Sequence, residues 1–260
     1  MQHLVSYIKR MFFAGWIPVV KSDKTKGDEM PHKIAIFDNS WSGEYYLDFL
    51  KSEYGIYNID RLINWKSPPY HQQTALQIKK SAITNIGKYV KKYDTIIIVN
   101  QEISLYAIDD LKKFFPNQIF ITAPILLDHV KTIKQQKITV LTSRKVINSP
   151  KYKNIYLSRR GLAKYTFIDC NDWIEKDHIK NLTDADINQK IPLNSAPDLI
   201  LIESSNLIPI TDRLSEHFNW RSQVVDNKLL LAIDIMRTAN IRYDYSKKLP
   251  SVFRKVRGRE

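Results

Sequence analysis

The residues best placed for chemistry in this chain follow two matched apolar segments. Residues 94–101 read DTIIIVNQ and residues 198–205 read DLILIESS, 104 positions further along. A run of branched apolar residues entered from polar ones is typical of a buried parallel strand. Because ligands of open α/β sheets bind beyond the carboxyl ends of the strands, the polar ends of these two runs predict two halves of one site.

The side chains at the two ends differ in the chemistry that they can perform. Asn100 carries an amide that does not titrate in a useful range, and the Ser204 hydroxyl is a very weak acid without an activating base. Glu102 and Glu203 lie beside them, and paired carboxylates act as general acid and base when burial raises their pKa. Solvated or helix-capping roles are the alternative for both glutamates, because successive strand residues face opposite sides.

The elements that must position these residues alternate along the chain. Apolar runs predict strands at 33–37, 56–63, 94–99, 117–122, 137–143, 164–169, within 198–205, and at 222–226. Amphipathic runs predict helices at 42–51, 75–92, from the end of the third strand to about 115, at 124–135, from 171 onward, and at 209–218 and 227–239. This order predicts an α/β fold with two pseudo-symmetric parallel-sheet lobes and a cleft between them. Residues 144–164 are predicted to be irregular and basic.

The positive charge is concentrated at the two ends of the chain. The 260 residues carry a formal net charge of +13, with the 43% hydrophobic content of a soluble globular protein. Residues 1–33 hold six Lys and Arg against three Asp and Glu, and residues 237–260 hold eight against two. Basic ends of this kind predict binding to nucleic acid or an acidic membrane surface, and solvated tails are the alternative.

Cysteine and histidine usage narrows the class of protein. The single cysteine, Cys170, excludes an intrachain disulfide and a CxxC zinc site, and it is compatible with a reducing, cytoplasmic location. The histidines show no metal-ligand spacing, so no metal site is predicted. The apolar segment 11–20 is too short to span a membrane, and it is predicted to lie in an N-terminal extension.

Four further segments carry the landmarks of a known family. They are IAIFDNSWSG (34–43), PPYHQQT (68–74), LTSRKVINSPKY (141–152) and VVDNK (224–228). With the two strand ends they resemble, in order, the glutamate racemases and more broadly the aspartate/glutamate racemase superfamily, over about residues 33–238. Every motif is altered, so the resemblance is that of a divergent member.

The resemblance implies how the chemistry of the family maps onto this chain. Glutamate racemases move the α-proton without a cofactor, using one cysteine from each lobe on opposite faces of the substrate. Ungapped alignment places Asn100 on the first cysteine and Ser204 on the second, and it places Asn206 on an assisting histidine. The usual proton carriers are therefore replaced, and Glu102 and Glu203 are the substitute bases that the sequence offers.

The resemblance also implies a set of substrate-binding residues. Asp38 would hold an ammonium group, although a turn aspartate that caps the next helix is the alternative. Tyr70 would close the pocket or pack in the core, and His71 would donate to a substrate carboxylate. The remaining members of the predicted set are Asn39, Gln101, Ser205 and Asn206.

The resemblance further implies that the second lobe is inserted into the first, which receives the last strand and helix. The predicted boundaries are an N-terminal extension at 1–31, a first lobe at 32–122 plus 219–240, a second lobe at 123–218 and a basic tail at 241–260.

Three functions stay open on the sequence alone. The first is a racemase-fold protein without proton-transfer catalysis that binds a small amino-acid or carboxylate ligand in a binding or regulatory role, with a homodimer as a predicted partner state. The second is an active, cofactor-independent glutamate or aspartate racemase that supplies D-glutamate for peptidoglycan. The third is nucleic-acid or membrane-surface binding through the basic ends.

Overall fold

The computed structural model describes residues 33–64, 68–129, 136–161, 163–174 and 178–238. The predicted N-terminal extension and basic tail lie outside these described residues, and so does the hypothesis that the two ends bind nucleic acid or a membrane. Within the described part of the chain, no helix is both long and apolar enough to cross a membrane.

Two parallel four-stranded sheets form the framework, which confirms the predicted fold class. The strand order is β2-β1-β3-β4 in the first sheet and β6-β5-β7-β8 in the second. The strands are β1 (Ile34–Asp38), β2 (Ile59–Ile63), β3 (Thr95–Ile98), β4 (Ile119–Thr122), β5 (Lys137–Thr142), β6 (Lys164–Asp169), β7 (Leu199–Ile202) and β8 (Gln223–Val225). All pairings are parallel, so the carboxyl ends of the strands share one edge in each sheet.

Helices cover both faces of the sheets. They are α1 (Ser42–Tyr54), α2 (Ala75–Gly87), α3 (Gln101–Tyr106), α4 (Ile108–Phe114), α5 (Leu126–His129), α6 (Arg144–Ile147), α7 (Pro150–Arg159), α8 (Asn171–Ile174), α9 (His178–Asn181), α10 (Asp184–Lys190), α11 (Thr211–His217) and α12 (Lys228–Thr238). Short 3₁₀ segments lie at Tyr70–Gln72, Leu193–Ser195 and Ser205–Ile210.

In β1, Ala35 and Phe37 pack in the core that contains α2, and Ile34 and Ile36 pack in the core that contains α1 and α12. Strand residues that alternate between two cores explain the continuous apolar runs.

The two lobes repeat one local arrangement at the start of the matched strands. Asp94 Oδ2 accepts a 2.7 Å hydrogen bond from the backbone N–H of Lys33, and Asp198 Oδ2 accepts one of 2.7 Å from that of Lys137. Both pairs are 61 residues apart, and β3 and β7 hold the same place in their sheets. The repeated phrase in the sequence is therefore a repeat of structure.

Residues 144–164 contain two helices, so the predicted irregular segment is wrong. Helix α6 begins after Ser143, whose hydroxyl accepts a 3.2 Å hydrogen bond from the N–H of Val146. Helix α7 begins after a second capping serine, Ser149, and has Pro150 in its first turn. These are strong helix-start signals, but the lysine-rich surface of α7 hides the apolar period that normally indicates a helix.

The last strand corrects the predicted first-lobe segment at 219–240. Strand β8 pairs with β7 of the second sheet, from Leu199↔Gln223 to Leu201↔Val225. Helix α12 does pack on the first sheet, where Leu231 and Ile235 join the core. Strand β8 is therefore the edge strand of the second sheet, and the chain returns to the first lobe after β8. The other domain boundaries remain predictions.

Candidate functional site

Asp38 at the end of β1 is buried and surrounded by donors. Its Oδ2 accepts hydrogen bonds from the Ser42 hydroxyl at 2.7 Å and the Gly43 N–H at 2.8 Å, and it lies 2.9 Å from Ser40 Oγ. Its Oδ1 accepts a 2.7 Å hydrogen bond from the N–H of Asn39. A Cβ at Gly43 would stand 3.3 Å from Asp38 Cβ, so glycine permits this close approach. Asp38 therefore fixes the turn and the start of α1, as a capping aspartate does.

Two hydrogen bonds join the lobes between the strand ends. Ser40 Oγ lies 2.7 Å from Asn206 Oδ1, which links the turn after β1 to the segment after β7. The Ser143 hydroxyl donates to Glu102 Oε1 at 2.7 Å, which links the end of β5 to α3. Glu102 and Ser143 are both buried. Each bond involves one residue, Asn206 or Glu102, that the sequence predicted to take part in the site.

Asn100 at the end of β3 is a helix cap. Its Oδ1 accepts a 3.0 Å hydrogen bond from the N–H of Ile103, in the first turn of α3. The next residue, Gln101, is buried and donates from Nε2 to the Pro124 carbonyl at 3.2 Å. Both amides at this strand end therefore hold the backbone in place.

Glu203 at the end of β7 is fully buried and holds the start of α5. Its Oε2 accepts the N–H of Leu126 at 2.9 Å, and its Oε1 accepts the N–H of Leu127 at 2.8 Å and the Tyr152 hydroxyl at 3.2 Å. Burial raises the pKa of this carboxyl to about 7, and the three donors oppose that rise. The carboxylate thus ties the second strand end to two neighbouring helices.

Ser204 and Ser205 follow Glu203 and are also buried. The Ser204 side chain makes no capping hydrogen bond, and the Ser204 carbonyl accepts the N–H of Leu207 at 3.0 Å. The Asn206 amide at the position of the assisting histidine cannot take a proton from this hydroxyl in the neutral range. The second strand end therefore presents a serine without the base that would activate it there.

Tyr70 and His71 lie in different surroundings. Tyr70 is buried in the first core, where burial raises the pKa of its hydroxyl and Ser81 and Asn85 partly oppose that rise. His71 is half-buried and lines an open cavity of ≈230 Å³ at the rim of the strand ends. The structure therefore gives Tyr70 a packing role and places His71 at the cavity.

Most of the residues that line this rim cavity were not predicted from the sequence. The full lining is His71, Tyr106, Arg144, Lys145, Asn148 and Asn171. Three of them lie in the 144–164 segment that was predicted to be irregular. The capping serines and the proline of that segment could have indicated two helices there, and with them a fixed position for the basic residues.

Cys170, the single cysteine of the sequence, is a core residue. It is fully buried after β6, in the core of the second lobe, and burial raises the pKa of its thiol well above the ordinary value. Buried thiols of this kind are unreactive. Among the residues that the structure describes, no cluster of three or more His, Cys, Asp or Glu side chains could hold a metal ion.

The raised pKa of Glu203 predicts a pH dependence of folding stability. The folded protein binds this proton more tightly than the unfolded chain, whose glutamate has a pKa of 4.5. The contribution of Glu203 is therefore most favourable below pH 4.5 and declines, by at most about 3 kcal/mol, as the pH rises to about 7.

Urea denaturation of the wild type and of Glu203→Gln at several pH values measures this effect. The wild type is expected to lose stability relative to the variant between pH 5 and pH 8. Parallel pH profiles for the two proteins would contradict the assignment, because all other titrating groups are common to both.

Solved structures place this architecture among the racemases. A Francisella tularensis glutamate racemase in complex with D-glutamate matches with a TM-score of 0.63 and 16% identity, over 85% of this chain and 86% of that one. The Escherichia coli glutamate racemase with L-glutamate and its activator UDP-MurNAc-Ala matches with a TM-score of 0.67 and 9% identity, over 83% and 85%. A Picrophilus torridus aspartate racemase matches with a TM-score of 0.55 and 13% identity, over 82% and 96%.

These matches establish the fold of the chain. No family model matches the sequence, and no curated protein matches it by sequence either. The protein therefore has the two-lobed fold of glutamate and aspartate racemases, as the sequence motifs predict, and its activity has to be argued from its own side chains.

Proposed function

We propose that this protein is a racemase-fold protein without proton-transfer catalysis, with a binding or regulatory role toward a small amino-acid or carboxylate ligand. The observation that carries the proposal is that the side chains at both strand ends hold neighbouring helices by hydrogen bonds. Asn100 caps a helix, and Glu203 holds the start of another. Neither end offers an exposed group that titrates near neutral pH, which cofactor-independent racemisation requires.

The two carboxylates that could replace the thiols support this proposal. Glu102 is bonded to Ser143 across the lobes, and Glu203 is bonded to two backbone N–H groups and to Tyr152. A general base must reach the proton that it removes, at about 2.6–3.2 Å. Both oxygens of Glu203 already accept hydrogen bonds from buried donors, and leaving such a donor unpaired costs about 1–3 kcal/mol.

We infer the ligand class from solved proteins that share this fold. The glutamate racemases with this fold were solved with D- and L-glutamate. A protein that retains the fold and has lost the proton carriers would keep the capacity to bind small carboxylates, because binding and proton transfer depend on different side chains.

Loss of the α-proton signal of L- and D-glutamate in deuterated water, followed by NMR, tests the proposal. We expect no protein-dependent exchange over the neutral pH range. Exchange that depends on the protein and disappears in Asp38→Asn would overturn the proposal, because it would assign the proton transfer to this protein and not to a contaminating racemase.

An active racemase with an unusual pair of bases is the second candidate, favoured by one observation. Burial raises the pKa of Glu203 to about 7, which suits a general base at neutral pH. Exchange that is present in the wild type and lost in Glu102→Gln or Glu203→Gln would support this candidate, including a role in supplying D-glutamate for peptidoglycan. Exchange that persists in both variants would exclude these two bases.

A further inference from the structure

We propose that the rim cavity binds a small organic anion through its carboxylate or phosphate group. The inference rests on the proposed function, because it gives a non-catalytic binding protein the place where its ligand is held. It also places the ligand against residues other than the strand-end residues Asn100, Glu203 and Ser204.

The charge of the cavity favours an anion. Its lining includes the cations Arg144 and Lys145, with one imidazole, one phenol and two carboxamides, and it contains no carboxylate. Asp169 pairs with Arg144 Nε at 2.8 Å and neutralises one of the two cations at most. Apart from Tyr106, whose hydroxyl donates to the Lys145 carbonyl, each lining side chain carries a group that can donate a hydrogen bond to an oxyanion, given a suitable imidazole tautomer.

Asp169 pairs with the guanidinium of Arg144, whose side chain is 72% exposed. Asp169 accepts the backbone N–H of Arg144 at 3.1 Å and its Nε at 2.8 Å, and Asn171 Oδ1 lies 3.3 Å from that backbone nitrogen. The terminal nitrogens, which form the fork that matches a carboxylate or phosphate, are left for a ligand.

Lys145 is positioned from the first lobe. The Tyr106 hydroxyl donates to the Lys145 carbonyl at 2.9 Å, and α6 contacts both α3 and the Tyr70–Gln72 segment that carries His71. The cavity is therefore assembled from both lobes. A bound anion would contact both of them at once, which is a physical basis for a regulatory role.

The size of the cavity restricts the ligand. Its ≈230 Å³ is smaller than the roughly 300–1,000 Å³ of pockets for drug-sized molecules. A four- or five-carbon carboxylate or a small phosphate ester fits this description, and one end of a larger molecule can project through the open side. Carboxylate and phosphate share the chemistry that the arginine fork recognises, so experiment has to separate these two sources.

Calorimetric titration with L-glutamate, glutarate, inorganic phosphate and glycerol phosphate tests the site. We expect saturable binding of at least one class, weakened about tenfold or more by Arg144→Gln with Lys145→Gln. Lys145→Gln alone keeps the contact between Arg144 and Asp169, and it should weaken binding without changing stability. Lys151→Gln, at an exposed position on α7, is the matched control and should bind as the wild type does.

Each outcome of these titrations supports or overturns the proposed anion site in the rim cavity. Preference for the carboxylates or for the phosphates upholds the site and identifies the source of the anion. Absence of saturable binding by all four probes overturns it, as does binding that the double variant leaves unchanged. Anion binding does not depend on proton exchange, so failure here leaves the proposed loss of catalysis to its own test.

Discussion

Replacing Glu203 with alanine is expected to lower the free energy of unfolding by about 3–5 kcal/mol. The change strands two backbone N–H groups, of Leu126 and Leu127, and the hydroxyl of Tyr152 in a site without solvent. Each unpaired donor costs about 1–3 kcal/mol, and the removed side chain leaves a cavity. Urea denaturation at pH 6 measures the loss.

Two variants separate this effect from a general sensitivity to mutation. Glu203→Gln keeps the volume and one acceptor oxygen, so it should cost about half as much or less. Glu216→Ala, at an exposed glutamate of α11, should change stability by less than about 0.5 kcal/mol. A Glu203→Ala protein as stable as Glu216→Ala would show that the carboxylate does not hold α5.

Replacing Asp38 with alanine is expected to cost about 3–4 kcal/mol. The carboxylate accepts from the Ser42 hydroxyl and from the N–H groups of Asn39 and Gly43, all at the buried end of β1. Its loss also frees Ser40, which makes the contact with Asn206 across the lobes. The measurement is again the free energy of unfolding in urea.

The controls for Asp38 test its capping role. Asp38→Asn retains one acceptor and should recover a large part of the lost stability, whereas Asp48→Ala at an exposed position of α1 should be close to neutral. Equal stability of Asp38→Ala and the wild type would contradict the capping role and would restore the alternative of an aspartate that is kept for a ligand.

The sequence predicted the two-lobed parallel fold because buried strands carry a local signal. Runs such as 95–98 and 199–202 face a core on both sides, so their apolar residues are continuous and easy to recognise. The partner of the short strand 223–225 could not be inferred in this way. Pairing with β7 depends on which sheet edge is open in the fold, and no local pattern reports that.

The positions of the strand-end residues could be predicted from the sequence, and their contacts could not. Asn100, Glu203 and Ser204 do lie at the matched strand ends, as the repeat implied. The sequence could not show that Glu203 reaches the N–H groups of Leu126 and Leu127, since these contacts span more than 75 residues. The same holds for the rim cavity, whose lining residues come from four separate elements.

The exchange of the α-proton of glutamate into deuterated water is the direct test of whether this protein lacks proton-transfer catalysis. Both enantiomers should be incubated with wild-type protein at near-stoichiometric concentration, beside the Asp38→Asn and Glu203→Gln variants. We expect the α-proton signal to persist as it does without protein, while the anion titrations report binding at the rim cavity. Exchange in the wild type that either variant abolishes would contradict this expectation, because the strand ends would then move a proton.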